Sequence, residues 1–454
     1  MTVNQYGIWI FFIVFSTFII YLNAYKMNIK EIHSLFLKCG ALSIDTRKIE
    51  KNSMFFAIKG ENFDANTFTS QAIEKGALYV IIDNPDYLVD NRTILVSNSL
   101  ETLQDLAKYH RQYLGIPIVA LTGSNGKTTT KELINAVLSQ KYKTKATVGN
   151  LNNHIGVPLT LLSFTSDTEI GIVEMGANHK KEIEFLCGIA QPDYGYITNF
   201  GKAHLEGFGG VQGVIEGKSE MYAYLAGNQK QAFVNIEDAI QVEKSANIKK
   251  FTFGSDGENA DLEVISVEAN PLVKIKYKTF NINSNLIGIY NANNINAAVA
   301  IGTYFKVDQN KIKQAIENYI PANNRSQLLK KGSFDIILDA YNANPSSMAV
   351  AITNFLQLDN QNKVMILGDM FELGIESQQE HRIIVDSLKN QDLSLCYLIG
   401  KSFYENRVAK DNLHFFETFD AFSEYLESNK LNEQSTILIK GSRGMALERT
   451  LDYI

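Results

Sequence analysis

The residues of this chain whose types and spacing suit chemistry start in Thr122–Lys127, TGSNGK, which runs on into Thr128 and Thr129. Gly123 and Gly126, with Ser124 and Asn125 between them, let backbone N–H groups approach an anion, and Lys127 adds a point charge. Thr128 puts a hydroxyl where Mg2+ on a bound phosphate would sit. The full phosphate-loop pattern asks for glycine where Leu121 stands, so this is a shorter variant. Glu174, closing the run IGIVEM, is a second candidate for Mg2+ coordination. His204, in NFGKAHLEGFGG, is a third, although a lone histidine is more often structural. Lys218 lies between Glu216 and Glu220, the pattern of a solvated charged helix. Asn291 and Asn294 stand three apart, on one side of a helix, where an amide either caps or reads a purine edge. Asn150, Asn152, Asn153 and His154 share one loop, as turn formers or as ligand contacts.

These groups need particular elements to hold them. Ile118–Leu121 is an apolar run that predicts a buried strand, and Leu133, Ile134, Val137 and Leu138 recur at helical spacing. The loop therefore joins a strand to a helix N-terminus, where the helix dipole favours negative charge. Glu174 and His204 follow predicted strands, at the end that faces the ligand crevice of an open parallel sheet. Between Asn28 and Tyr113 the pattern predicts a small α/β domain with strands at 54–58 and 78–82. Its polar loops include DTRK, with Thr46 and Arg47. From about Pro321 strands at 334–341, 363–370, 395–400 and 435–442 alternate with helices, which implies a doubly wound sheet. Asp339, Tyr341, Asn342, Asn344, Asp369, Glu372, Lys440, Ser442 and Arg443 stand at its strand ends.

With 454 residues, 45% hydrophobic and 20% charged, the chain has the composition of ordinary globular protein and length for about three domains. A net charge of -6 argues against a general nucleic-acid binder but leaves room for a local basic pocket. Cys39, Cys187 and Cys396 show neither a metal spacing nor a disulfide framework, which favours a reducing compartment. Tyr6–Tyr25 carries no charge and is long enough to span a bilayer. It is either an anchor with the body on the cytoplasmic side, following Lys26 and Lys30, or an extension ahead of a cytosolic sequence that starts at Met27.

TGSNGKTTTKELI, GNLNNHIGVPLTLL, VEMGAN, TNFGKAHLEGFGG with GKSE, GIYNANNINAA, NNRSQ, DAYNANPSSM, GDMFELG and KGSR occur in that order. Together they make the chain from Met27 onward resemble the Mur ligase family. DAYNANPSSM and GDMFELG are the most discriminating, and the Asp-Asn-Pro-Arg motif of the sibling that adds the third peptide residue is missing. The resemblance implies an α/β protein of three domains. Residues 27–114 form a small α/β domain for a UDP-substrate, 115–320 a central P-loop ATPase-type parallel sheet, and 321–454 a C-terminal Rossmann-like domain, with 1–26 as extension or anchor. The segment ahead of DTRK is short for the family, so a strand of the first domain is in doubt. Ala65 and Gly210 are minor departures.

What the resemblance implies for the site is specific. Gly123, Ser124, Asn125, Gly126, Lys127, Thr128 and Thr129 hold ATP phosphates, with Lys127 on the β/γ end. Thr128, Glu174 and His204 bind Mg2+, and Lys218 matches a lysine that is carbamylated in the family. Asn291 matches an adenine-contacting asparagine, and Arg325, Asp339 and Tyr341 match nucleotide-facing positions. Thr46 and Arg47 fall at the uridine site, while Asn150, Asn152 and Asn153 lie near the muramoyl-peptide substrate. The implied reaction joins D-alanyl-D-alanine to UDP-N-acetylmuramoyl-tripeptide through an acyl-phosphate. It takes place in a cytoplasmic monomer with no nucleic-acid partner, and with a hinge near residues 319–325. A membrane-tethered P-loop ATPase, or a related amide ligase such as a folylpolyglutamate synthase, would share parts of this pattern.

Overall fold

The structure, a computed structural model, describes residues 27–454 apart from 256–258, 323, 361, 390 and 392–394. The apolar run Tyr6–Tyr25 lies outside the described residues. Among the described residues no helix is long and apolar enough to cross a membrane. The chain gathers into two compact units. Among the described residues, one comprises 27–118, Thr147–Val173 and Phe185–Gln191; the other comprises Val119–Ala146, Glu174–Glu184 and Pro192–Ile454.

The first unit opens with the amphipathic helix Ile29–Phe36, started by a capping box between Asn28 and Glu31. Its sheet is four parallel strands in sequential order: β1 (Ala41–Ser43), β2 (Ser53–Phe56), β3 (Tyr79–Ile82) and β4 (Thr93–Leu95). β1 occupies the segment whose shortness put a strand in doubt; three residues are enough to pair with β2 although they carry no readable period. Phe55, Val80, Ile82 and Leu95 fill the core beneath the helix Thr69–Glu74. The helix Ser99–Leu114 ends where Gly115 turns left-handed at φ 63°. It packs on the helix Gly156–Leu162.

The second unit holds the two larger arrays. In one, β5 (Ile118–Thr122), β8 (Tyr194–Ile197), β9 (Gln231–Asn235), β10 (Lys249–Gly254) and β11 (Leu262–Ala269) lie side by side and parallel. β12 (Leu272–Tyr277) and β13 (Asn281–Ile287) extend that row antiparallel. β6 (Thr144–Ala146) also lies in this unit, as does Glu174 at the end of β7 (Ile170–Glu174), where the Met175 N–H donates to the Leu121 carbonyl of β5. β5 is buried from end to end, as the apolar run Ile118–Leu121 requires of a strand covered on both faces.

The other array runs β14 (Gln327–Lys331), β15 (Phe334–Asp339), β19 (Thr436–Lys440), β16 (Lys363–Gly368), β17 (Leu395–Ile399), β18 (Leu413–Phe416). All its pairs are parallel except that of β14 with β15. Successive strands move outward from β15 to β18 and then return, with β19 inserted between β15 and β16. That reversal opens a crevice at the carboxyl ends. Phe419, Phe422 and Leu426 of the helix Phe419–Ser428 close the core against Ile336, Val364, Ile366 and Tyr397. None of Cys39, Cys187 and Cys396 forms a disulfide among the described residues, and the last two are buried.

Candidate active site

The glycine loop turns as its sequence demands. Gly123 and Gly126 have φ of 140° and 77°, and a side chain at Gly123 would strike Thr198. The loop is laced to the end of β8: the Ser124 N–H donates to the Asn199 carbonyl, the Asn125 N–H to Asn199 Oδ1 at 3.1 Å, and Thr198 Oγ1 donates back to the Asn125 carbonyl at 2.6 Å. The helix Lys127–Leu138 begins on Gly126 with no side-chain cap, so its first N–H groups point at the loop's concavity. Lys127 Nζ curls back onto the Gly123 carbonyl at 2.7 Å, and Thr128 is buried in the first turn. Burial holds Lys127 below the ordinary ammonium range; Glu174 opposes that shift and the Arg325 charge adds to it. Lys127, Glu174 and Arg325 thus share one electrostatic neighbourhood.

Asn294 supports the loop from below. A side chain at Gly126 would press into its amide, and Asn294 Oδ1 accepts from Thr130 Oγ1 at 3.0 Å. Asn294 Nδ2 donates to Asn291 Oδ1 at 2.8 Å, as the three-residue spacing on the helix Asn291–Tyr304 allows. Asn291 in turn donates to the Ile287 carbonyl and is 2% exposed, so its amide is taken up within the wall under the loop.

Glu174 and Lys218 are each 1% exposed. Lys218 is therefore not on a solvated face. It lies on the buried side of the helix Val211–Gly227 with Val214, Met221 and Leu225, its Nζ 3.2 Å from the Ala177 carbonyl and 4.9 Å from the Phe208 ring centre. The flanking glutamates do take outward positions: Glu216 pairs with Lys180 at 2.5 Å, and Glu220 accepts the Lys181 and Glu184 N–H groups. Burial drives the Lys218 ammonium well below its ordinary range, helped by the charge of Lys127 and opposed by Glu182 and Glu220. Burial thus favours the neutral amine over the ammonium at this position.

At the strand ends of the C-terminal sheet, Asp339 is bound by Lys440 at 2.6 Å and accepts the Ser326 N–H at 3.1 Å. The Arg325 guanidinium stacks on Tyr341, 3.6 Å from the ring centre. Asn344 caps the helix Pro345–Leu356 by accepting the Ser347 N–H, and its Nδ2 reaches Asn125 Oδ1 of the glycine loop at 2.7 Å. Asp369 serves its own fold: it accepts the Ser402 and Phe403 N–H groups at the start of the helix Lys401–Glu405. His204 is left-handed, half-buried, and its Nδ1 pairs with Glu372 of GDMFELG, which is left-handed too. Among the described residues no three of His, Cys, Asp and Glu converge as a metal cluster.

Three comparisons bear on this geometry. Residues 121–302 match the Mur ligase middle domain, 324–443 the Mur ligase glutamate ligase domain, and 39–111 the Mur ligase family catalytic domain. Over 421 residues the chain is 36% identical to the UDP-N-acetylmuramoyl-tripeptide–D-alanyl-D-alanine ligase of Bacillus subtilis, covering 90% of this chain and 91% of that one. The chain belongs to the Mur ligase family. Among solved structures, MurF from Acinetobacter baumannii superposes with a TM-score of 0.83 at 30% identity, covering 94% and 97% of the two chains. MurF from Thermotoga maritima in complex with ADP gives 0.80 at 25% identity, covering 92% and 97%. The three-domain α/β architecture of Mur ligases is thus that of this protein.

In the first unit of this Mur ligase, Asp45 caps the short turn Thr46–Lys48 and grips Arg47 bidentately, while the Thr46 carbonyl accepts from Lys75 Nζ. Asn153 Oδ1 accepts the Ile155 and Gly156 N–H groups and so starts the helix Gly156–Leu162, and Asn150 is exposed. Two features escaped the sequence. Asn199 is as much part of the glycine loop as Asn125, a pairing no local spacing announces. His33 Nε2 and His110 Nδ1 meet at 2.9 Å in the first unit's interior, with His110 Nε2 on the Phe164 carbonyl at 3.0 Å. Each of these histidines lies on the inner face of an amphipathic helix, which periodicity fills with apolar residues.

Proposed function

We propose that the chain joins D-alanyl-D-alanine to UDP-N-acetylmuramoyl-tripeptide with ATP, in peptidoglycan precursor synthesis. The names of its relatives support the reaction, and one observation of the geometry carries the reading. Lys127 opens an uncapped helix start, and the buried carboxylate Glu174 and the charge of Arg325 both lie near enough to act on it. Like charges so placed gain when polyphosphate oxygens lie between them. The complex of T. maritima MurF with ADP supports nucleotide binding by this chain.

Activation is needed because a carboxylate is a poor electrophile. The peptide carboxylate attacks the ATP γ-phosphorus and displaces ADP; the dipeptide amine then attacks the acyl carbon and phosphate leaves. Lys127 and Arg325 neutralise charge on the transferring phosphoryl group, and the N–H groups from Gly123 to Thr129 cradle its neighbours. Thr128 and Glu174 suit Mg2+, an ion held by one or two carboxylates together with phosphate oxygens and water; bound there it would add further charge neutralisation. With Nδ1 of His204 on Glu372, its metal role falls to Nε2. Burial favours the neutral amine of Lys218, the form that adds to CO2: nitrogen bonds to carbon, a proton passes to water, and a carbamate anion results. Asn291 acts through Asn294, and a direct adenine contact would exchange one of its present bonds. Arg325, Tyr341 and Asp339 form the nucleotide-facing edge of the C-terminal domain.

For the first domain the proposal assigns uridine to Thr46 and Arg47, and the muramoyl-peptide to Asn150, Asn152 and Asn153. The domains divide at about residues 114 and 320, the hinge lies within 319–325, and the enzyme works as a monomer in the cytoplasm. The test is phosphate release with ATP, Mg2+ and UDP-muramoyl-tripeptide, with and without D-alanyl-D-alanine. Strict dependence on the dipeptide, with one phosphate per amide, is expected. Release indifferent to the dipeptide would sink the ligase in favour of an ATPase or a ligase for another amine.

A further inference from the structure

The turn Asn344–Ser347 is tied to the glycine loop at two points, and neither bond is needed for the fold of the turn itself. Asn344 Oδ1 already caps its helix by accepting the Ser347 N–H at 2.9 Å. Its remaining group, Nδ2, donates to Asn125 Oδ1 at 2.7 Å across 219 residues of chain, and Asn344 is 7% exposed. Two residues further on, Ser346 Oγ accepts the Lys202 N–H at 2.8 Å, from the same β8 loop that laces Asn125. Gly201 sits between: a side chain there would meet Asn125 Nδ2 at 2.9 Å and Ser346 at 3.2 Å. Asn125 itself is held by Asn199 and Thr198 on its backbone, so its side chain is left to report on the C-terminal segment.

We propose that Asn344 is a positioning residue that couples the C-terminal domain to the glycine loop, so that the Asn125 side chain is held in place only when that domain is docked. This rests on the ligase reading above. Its chemical consequence concerns the acyl-phosphate. If the domain carrying DAYNANPSSM is not registered on the loop, water reaches the acyl carbon, the carbon–oxygen bond to phosphate breaks, and the peptide carboxylate and phosphate are returned without an amide. Docking through Asn344 suppresses that loss.

The experiment uses the full chain and measures phosphate and amide together. Asn344→Ser keeps a good helix cap but is too short to reach Asn125. The melting temperature should stay at the wild-type value, kcat for ligation should fall about 10- to 100-fold with little change in KM for ATP, and phosphate released per amide should rise above one. Combining it with Asn125→Ala should cost no more than Asn125→Ala alone. Ser346→Ala, which leaves the cap untouched, should uncouple in the same direction. Native kcat and one phosphate per amide in both Asn344→Ser and Ser346→Ala, or losses that multiply in the double variant, would overturn the coupling. Wild-type protein run alongside separates the two readings: no amide from the wild type overturns the reaction itself and the coupling with it.

Discussion

Lys440 Nζ lies 2.6 Å from Asp339 Oδ2, on neighbouring parallel strands, with the lysine side chain 2% exposed. A cation so deep in a sheet is sustained by its partner, and the carboxylate it holds also fixes the Ser326 N–H next to Arg325. Removing the lysine leaves a largely buried charge without compensation. We expect Lys440→Met to lose about 3–5 kcal/mol of stability, and the double variant with Asp339→Asn to recover part of it. Denaturant unfolding checks both; equal stability of Lys440→Met and wild type would contradict the assignment.

Lys127→Ala should abolish ligation, a loss of at least about 10²- to 10³-fold in kcat, while circular dichroism and melting stay native. Lys127 touches only loop carbonyls, so the fold does not depend on it. Retained turnover would count against the phosphate role.

Lys218→Ala should be nearly inactive and partly rescued by a short carboxylic acid, which supplies the anion the carbamate would have provided. Because burial disfavours the ammonium, enzyme stripped of CO2 should regain activity on adding bicarbonate. Wild-type rates in the alanine variant would show the position to be packing alone.

The His33–His110 pair gives a pH dependence with a definite sign. Burial, and then the charge of His110, pull His33 from 6.5 down to about 4, and burial lowers His110 as well. The unfolded chain therefore takes up protons that the folded one refuses. The pair's stability is fully present above about pH 6.5 and is lost as pH falls towards 4. His33→Gln, which keeps a donor for His110, should flatten the stability profile over that window. Superimposable profiles would mean that other groups set the acid limit.

Much of this was legible in the chain, for reasons that differ by element. The strands ending at Asp339, Gly368, Ile399 and Lys440 each carry an apolar run of three or more consecutive buried residues, the mark of a strand covered on both faces. β1 and β4 are three residues each, too short to carry a period. In the site, TGSNGKT declares itself through local glycine spacing. Lys218 does not, because neighbours two positions away on a helix face elsewhere, so Glu216 and Glu220 say nothing of the side that Lys218 occupies. The Asn125–Asn344 bond is invisible for another reason: it depends on two domains meeting, and a single sequence carries no record of that.

The three cysteines acquire a practical meaning from their surroundings. Cys187 and Cys396 are buried, and burial pushes the Cys39 thiol up to about 11, so almost none of it is thiolate at neutral pH. Maleimides and nitroxide reagents, which need the thiolate, will label the native protein slowly. A cysteine introduced on an exposed residue of each domain would then be the fast-reacting thiol, and dye pairs on such positions could follow domain docking through a full catalytic cycle with the natural cysteines left in place.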